Sequence, residues 1–312
     1  MQKNLSRRKF ITTAVSGTVA SVVAPLTLSE KPGMEHDAMT PTIIAKKAVN
    51  ANEPIRNDYN RKKDKPVIVD IHAHLWLGSI EKNKETNLDI CTVFNVKKLF
   101  VSTIQSHYPD ENEIRKCNDM TYGFMKEHPH LVKGYAYINP ANSNSINELK
   151  RCIEECGMSG IKLWVATYCD DERVNRIAEA AIRYGIPIQI HCFKKTVGQL
   201  EHESTGANVE NLGKRYPELN IIMAHIGANV YDTVKCIKEY NNIFVDFSGS
   251  FLRRDDLDYT IKHIGVQRIL FGSDMPGCFE NCVGRVEGAA VTDEERQMIY
   301  YGNACKLFKI KI

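Results

Sequence analysis

From residue 66 onward, short β-branched apolar runs alternate with segments whose apolar positions recur every three or four residues. The strand-like runs fall at 67–72, 98–104, 132–138, 160–165, 187–191, 220–225, 243–248 and 268–273. Helical periodicity fills most of the gaps, at 145–156, 171–184, 208–216, 230–240 and 255–263. Gly157, Gly185-Ile186-Pro187, Pro217 and Gly265 mark returns to strand. The weakest unit is 75–97, where a helix has to fit around residues 87–96. Eight strands alternating with helices predict a (β/α)8 TIM barrel over residues 66–312 rather than an open doubly wound sheet. No Gly-rich dinucleotide or phosphate loop interrupts the pattern.

The residues before the barrel read differently. Ser6-Arg7-Arg8-Lys9-Phe10-Ile11 followed by an uncharged, moderately apolar stretch to Leu28 has the layout of a twin-arginine signal peptide, assigned to residues 1–30. A retained anchor is the competing reading, but Gly17, Pro25 and several Ser and Thr residues make the stretch a weak membrane span. Residues 31–65 are polar, broken by Pro32, Pro41 and Pro54, and form a linker or N-terminal arm. The expectation is export by the twin-arginine machinery to a periplasmic or other extracytoplasmic place. The net charge is only +3, with many basic residues before the barrel, so no nucleic-acid partner is implied. Ten cysteines include no CxxC pair, which disfavours a zinc ribbon or a thioredoxin-like site. Export permits disulfides, and Cys278 with Cys282 is the candidate local bridge.

Candidate chemistry gathers where a barrel keeps it, at the carboxyl ends of the strands. Val67-Ile68-Val69-Asp70-Ile71 runs into His72-Ala73-His74. Side chains two apart on a strand share a face, so the two imidazoles could grip one metal ion. Alone, the pair could equally be two ordinary histidines at a strand end. His191, His225 and Asp274 then close the fifth, sixth and eighth runs, and Lys162 lies within the fourth. Five ligand-type residues at strand ends of one barrel point to a metal site. Asp70 shares the parity of the histidines and is expected to be a buried supporting group rather than a ligand.

Val69-Asp70-Ile71-His72-Ala73-His74, Gly160-Ile161-Lys162-Leu163, Ile190-His191, Ala224-His225-Ile226-Gly227, Leu270-Phe271-Gly272-Ser273-Asp274-Met275-Pro276 and Gly302-Asn303-Ala304-Cys305-Lys306-Leu307-Phe308 follow one another along the barrel. In that order they resemble the amidohydrolase-related family of metal-dependent TIM-barrel hydrolases, which includes decarboxylases of the aminocarboxymuconate-semialdehyde type. Two positions depart from the family pattern. Trp164 stands where relatives often carry His-Pro, and Cys305-Lys306 replaces a small residue and Arg.

The resemblance implies that His72, His74, His191 and Asp274 hold one divalent metal, most simply Zn2+, with Mn2+ or Fe2+ compatible with the same ligand types. It makes His225 and Asp274 the catalytic pair. Lys162, Trp76 and Arg253 are weaker substrate-binding candidates. Lys162 is open to three roles: a carboxylated bridge between two metals, an electrostatic contact to substrate, or a structural ion pair. Two reactions on a small-molecule substrate follow from such a set. Metal-activated water could cleave an amide, lactone or ester, or the same metal could support non-oxidative decarboxylation of an aromatic or unsaturated acid. Hydrolysis is preferred here, because no arginine stands in an obvious place to clamp a leaving carboxylate. A non-catalytic ligand-binding barrel is the reading from another class. A homodimer is expected from the relatives, not from any residue pattern.

Overall fold

The structure, a computed structural model, describes residues 65–249, 253 and 255–312. The expected signal peptide and all of the arm except Lys65 lie outside the described residues. Eight parallel strands pair in chain order: β1 (Ile68–Trp76), β2 (Val96–Ile104), β3 (Val132–Tyr137), β4 (Gly160–Leu163), β5 (Ile188–Ile190), β6 (Ile221–Met223), β7 (Ile243–Asp246) and β8 (Ile269–Leu270). Ile71 N donates to Phe271 O at 3.0 Å and Ala73 bridges Asp274, so the last strand returns to the first. A helix follows each strand: α1 (Ile80–Phe94), α2 (Glu111–Glu127), α3 (Ser145–Glu154), α4 (Asn175–Tyr184), α5 (Gly206–Arg215), α6 (Val230–Ile237), α7 (Asp255–Ile264) and α8 (Phe279–Gly288). Two short helices, α9 (Asp293–Gln297) and α10 (Asn303–Phe308), complete the chain. The TIM barrel expected from the alternation is the fold. Among the described residues no helix is long and apolar enough to cross a membrane.

Strand alternation sorts the apolar side chains into two layers. Ile161, Ile188, Ile221, Ile243 and Ile269 pack outward against the helices. Val69, Ile71, Phe100, Tyr135, Ile222 and Leu270 form a second, interior cluster. α10 plugs that interior from the amino-terminal side, where the Phe308 ring lies 4.2 Å from Phe100. The floor of the barrel is therefore largely apolar.

Three expectations are corrected. The register of β1 against β2 shifts between Asp70 and Ala73, a bulge that breaks the two-residue repeat. Asp70 is thus out of step with His72 and His74. Its carboxylate accepts from His72 N at 3.0 Å and Ser273 Oγ at 2.6 Å, stitching β1 to the segment after β8. In the weakest unit the helix runs from Ile80 to Phe94 instead of around 87–96. Asn83 and Asn87 sit on its inner face, accepting from Trp76 N and donating to His74 O, and these inward amides blur the apolar period. Asn95, in the left-handed region at φ 57°, stops the helix. Finally, the Cys278–Cys282 bridge is not formed; all ten cysteines are free thiols, mostly buried.

Candidate metal centre

His72 and His74 project from the inner face of β1, within and just past the bulge. The Nε2 atoms of His72 and His74 stand 3.1 Å apart, and Asp274 Oδ1 is 3.4 Å from each. One donor atom each of His72, His225 and Asp274 also fits within 4.8 Å of the others. His225 Nε2 lies 3.2 Å from Nδ1 of His191, just past β5. The four histidines and Asp274 named from the sequence therefore form one continuous group at the mouth of the barrel.

The other ring nitrogen of each histidine has its own acceptor, and the tautomers are assigned from those partners. His72 Nδ1 donates to Asp246 Oδ2 at 3.0 Å. His74 Nδ1 donates to Ser102 O at 3.1 Å, His225 Nδ1 to Ser248 O at 3.2 Å, and His191 Nε2 to Glu203 Oε1 at 2.9 Å. The nitrogens turned toward one another are then lone pairs. Burial, and after it the charge of Lys162, pushes the His72 and His74 pKa values down. Burial likewise lowers His191 to about 4, against the opposing pull of Glu203. Burial alone would raise Asp274, but the imidazoles of His72, His225 and His74 and the Lys162 ammonium outweigh it and hold the carboxyl at about 2. Neutral imidazoles with converging lone pairs and an ionised carboxylate are mutually repulsive without a cation among them. This donor set fits a divalent metal, and imidazole with carboxylate suits zinc, iron or manganese.

The backbone is bent to make this arrangement. His225, Ile226 and Asp274 hold left-handed conformations at φ 63°, 46° and 68°, uncommon for residues with a Cβ. β6 and β8 are accordingly shorter than the runs 220–225 and 268–273 suggest, because the chain leaves the ladder to aim His225 and Asp274. Gly272 has no room for a side chain: a Cβ there would stand 2.9 Å from His72 Cβ and 3.2 Å from Asp246 Cβ.

Lys162 is buried, 3.0 Å from His72 Nε2 and donating to Gln189 Oε1 at 3.3 Å; burial lowers its pKa to about 8. Trp76, 36% exposed, sits at the rim with its ring 6.5 Å from His74. Arg253 is not brought into the group. It is exposed, 5.9 Å over the Tyr231 ring and 3.6 Å from Asp256.

Two carboxylates were not singled out from the sequence as site residues. Asp246 is the last residue of β7, fully buried, and accepts from His72, His225 N and Ser248 Oγ. Burial opposes its ionisation, but His72 and His225 beside it hold its pKa down. The strand-end rule that singled out the histidines applies to it equally. Glu203 lies on the loop after β5, where it accepts from His191 Nε2 at 2.9 Å and from Lys195 Nζ at 2.7 Å. Burial works against it too, yet His191 and Lys195 hold it at about 2. A loop carboxylate twelve residues from its partner leaves no periodic signal.

Known proteins share the fold that carries this group. A gamma-resorcylate decarboxylase of Polaromonas sp. is 23% identical over 250 residues, covering 63% of this chain and 76% of that one. The structure of a 2,6-dihydroxybenzoate decarboxylase complexed with 2,6-dihydroxybenzoate superposes with a TM-score of 0.67 at 17% identity, over 78% of this chain and 99% of that chain. A dihydroxybenzoic acid decarboxylase of Polaromonas sp. with bound manganese and the inhibitor 2-nitroresorcinol gives 0.63 at 17% identity, over 78% and 96%. At such identities the structural likeness establishes the fold. Residues 69–310 match the amidohydrolase family, so the chain belongs to this family of metal-dependent enzymes.

Proposed function

We propose that the protein is a metal-dependent, non-oxidative decarboxylase of a hydroxylated aromatic carboxylic acid. The observation that carries this reading is the buried Lys162 ammonium beside His72 at the edge of the donor group. The preference for hydrolysis rested on the lack of an arginine placed to clamp a carboxylate; Lys162, already a candidate contact to substrate, stands beside the donor group and can meet that carboxylate instead. Similarity to decarboxylases of hydroxybenzoates supports the same choice. Hydrolysis remains the family-level alternative.

His72, His74, His191 and Asp274 would hold the cation, Zn2+ or Mn2+. When bound, it supplies Lewis-acid charge beside the substrate's oxygens. Lys162 would draw the carboxylate in and hold it over the apolar floor of the barrel. Asp274 is ionised and so takes up the proton of a phenol hydroxyl next to the carboxylate. It then delivers that proton to the ring carbon bearing the carboxylate. The ring-to-carboxyl bond breaks, its electron pair returns to the ring, CO2 leaves, and the phenolate recovers a proton from solvent. His225, fixed by Ser248 and Asp246, orients the reacting oxygens through Nε2.

Turnover in D2O tests this. The metal-loaded protein should release CO2 from a dihydroxybenzoate and leave one deuterium at the vacated ring carbon. Cleavage of an ester or lactone panel with no CO2 from any acid would establish the hydrolase instead. We also propose that residues 1–30 direct export; Arg7→Lys with Arg8→Lys should then retain the protein in the cytoplasm, and undiminished export would refute it.

A further inference from the structure

The mouth of the barrel carries a wall of aromatic rings with no part in holding the metal. Trp76 lies two residues past His74 on β1, and Trp164 two past Lys162 after β4, so each projects above a group of the centre. Their rings meet edge to face at 6.0 Å, and His107, from the loop after β2, meets Trp164 at 4.9 Å. Across the centre, Phe193 stacks on His191 at 5.8 Å with 9° between planes and meets His225 at 5.6 Å. Trp164 is anchored on Ile104, Ile114, Cys117 and Tyr137, which fixes the ring before any ligand arrives. Trp76, Tyr108, Tyr168 and Met275 are all at least a third exposed, and all lie at or after strand ends on this one face. Large apolar groups left in water together mark a surface that something else covers.

We infer that Trp76 and Trp164 are the residues that select a planar aromatic ring, which lies face-on against one indole and meets the other at its edge while its carboxylate reaches down to Lys162 and the metal. The aromatic-acid class rests on the decarboxylase reading; the ring clamp itself does not require turnover. The departure at Trp164 from the usual His-Pro would then be a substrate determinant of this chain. A flat π-system stacks on one indole and meets the other edge to face, whereas a saturated ring of equal size gains only apolar contact.

Trp76 and Trp164 are also the only two tryptophans in the sequence, so intrinsic fluorescence reports on this wall alone. The probe is 2-nitroresorcinol, a nitroaromatic quencher, titrated into metal-loaded wild type, Trp76→Phe, Trp164→Phe and Trp164→Ala, with free tryptophan correcting for absorption. Saturable quenching should occur in wild type and in both single-tryptophan Phe variants. Trp164→Ala should bind about tenfold or more weakly, with metal content unchanged and little loss of affinity for cyclohexanecarboxylate. Unquenched tryptophans, or Trp164→Ala binding the probe as wild type does while only its melting temperature falls, would overturn the inference and make Trp164 a packing residue. Quenching with no CO2 release from any aromatic acid would leave the clamp standing and remove the decarboxylase reading. CO2 release unaffected by Trp164→Ala would do the reverse.

Discussion

The Asp246 carboxylate accepts from His72 Nδ1 at 3.0 Å, with both side chains out of water. That one contact sets which nitrogen of His72 faces the donor group. The same carboxylate takes the backbone N–H of His225, so Asp246 joins a proposed metal ligand to a proposed catalytic histidine. An amide can present its NH2 to His72 and favour the wrong tautomer. Asp246→Asn should therefore lower metal affinity by about 10- to 100-fold, read by competition with a chelator, while circular dichroism stays native. Unchanged affinity would remove Asp246 from the support of the centre.

His225 stands where it could be either a ligand or a proton-handling group. His225→Ala should cut kcat by about 100-fold or more while the protein still takes up one metal per chain. Loss of the metal together with activity would make His225 a ligand instead.

The barrel was legible in the sequence because strand and helix periods alternate cleanly from residue 132 to 270. Strand ends then located His72, His74, His191, His225 and Asp274. Three physical effects hid the rest. A bulge in β1 reset the parity that had placed Asp70 beside the histidines. Inward-facing Asn83 and Asn87 masked the apolar stripe of α1. Glu203 reaches His191 through a loop fold, and tertiary contacts of that sort have no period to read.

Glu148 on α3 gives a pH signature away from the centre. Burial raises its carboxyl, but hydrogen bonds from Arg151 at 2.7 and 3.0 Å and Asn118 at 2.9 Å outweigh this, so its pKa falls below 4.5. A folded pKa below the unfolded one contributes stability that is complete above about 4.5 and lost as pH falls through the folded value. Glu148→Gln should lower the melting temperature most near neutral pH, with the deficit narrowing in acid. A deficit independent of pH would contradict the ion-pair account.

Arg268 ties the ends of α6 and α7 together. Its guanidinium donates to the carbonyls of Ile237, Lys238, Tyr240 and Ile264 at 2.5–3.1 Å. Lysine keeps the charge but not the fork. Arg268→Lys should cost about 2 kcal/mol or more in denaturant unfolding, with activity per folded molecule unchanged. A loss within experimental error would show that these carbonyls find other partners.

The most direct test of the central claim is CO2 release from a carboxyl-labelled dihydroxybenzoate by purified protein, before chelation, after it, and after manganese or zinc is restored. The account predicts release that chelation abolishes and either metal recovers. Release that persists without metal, or none with metal bound at one per chain, would contradict it.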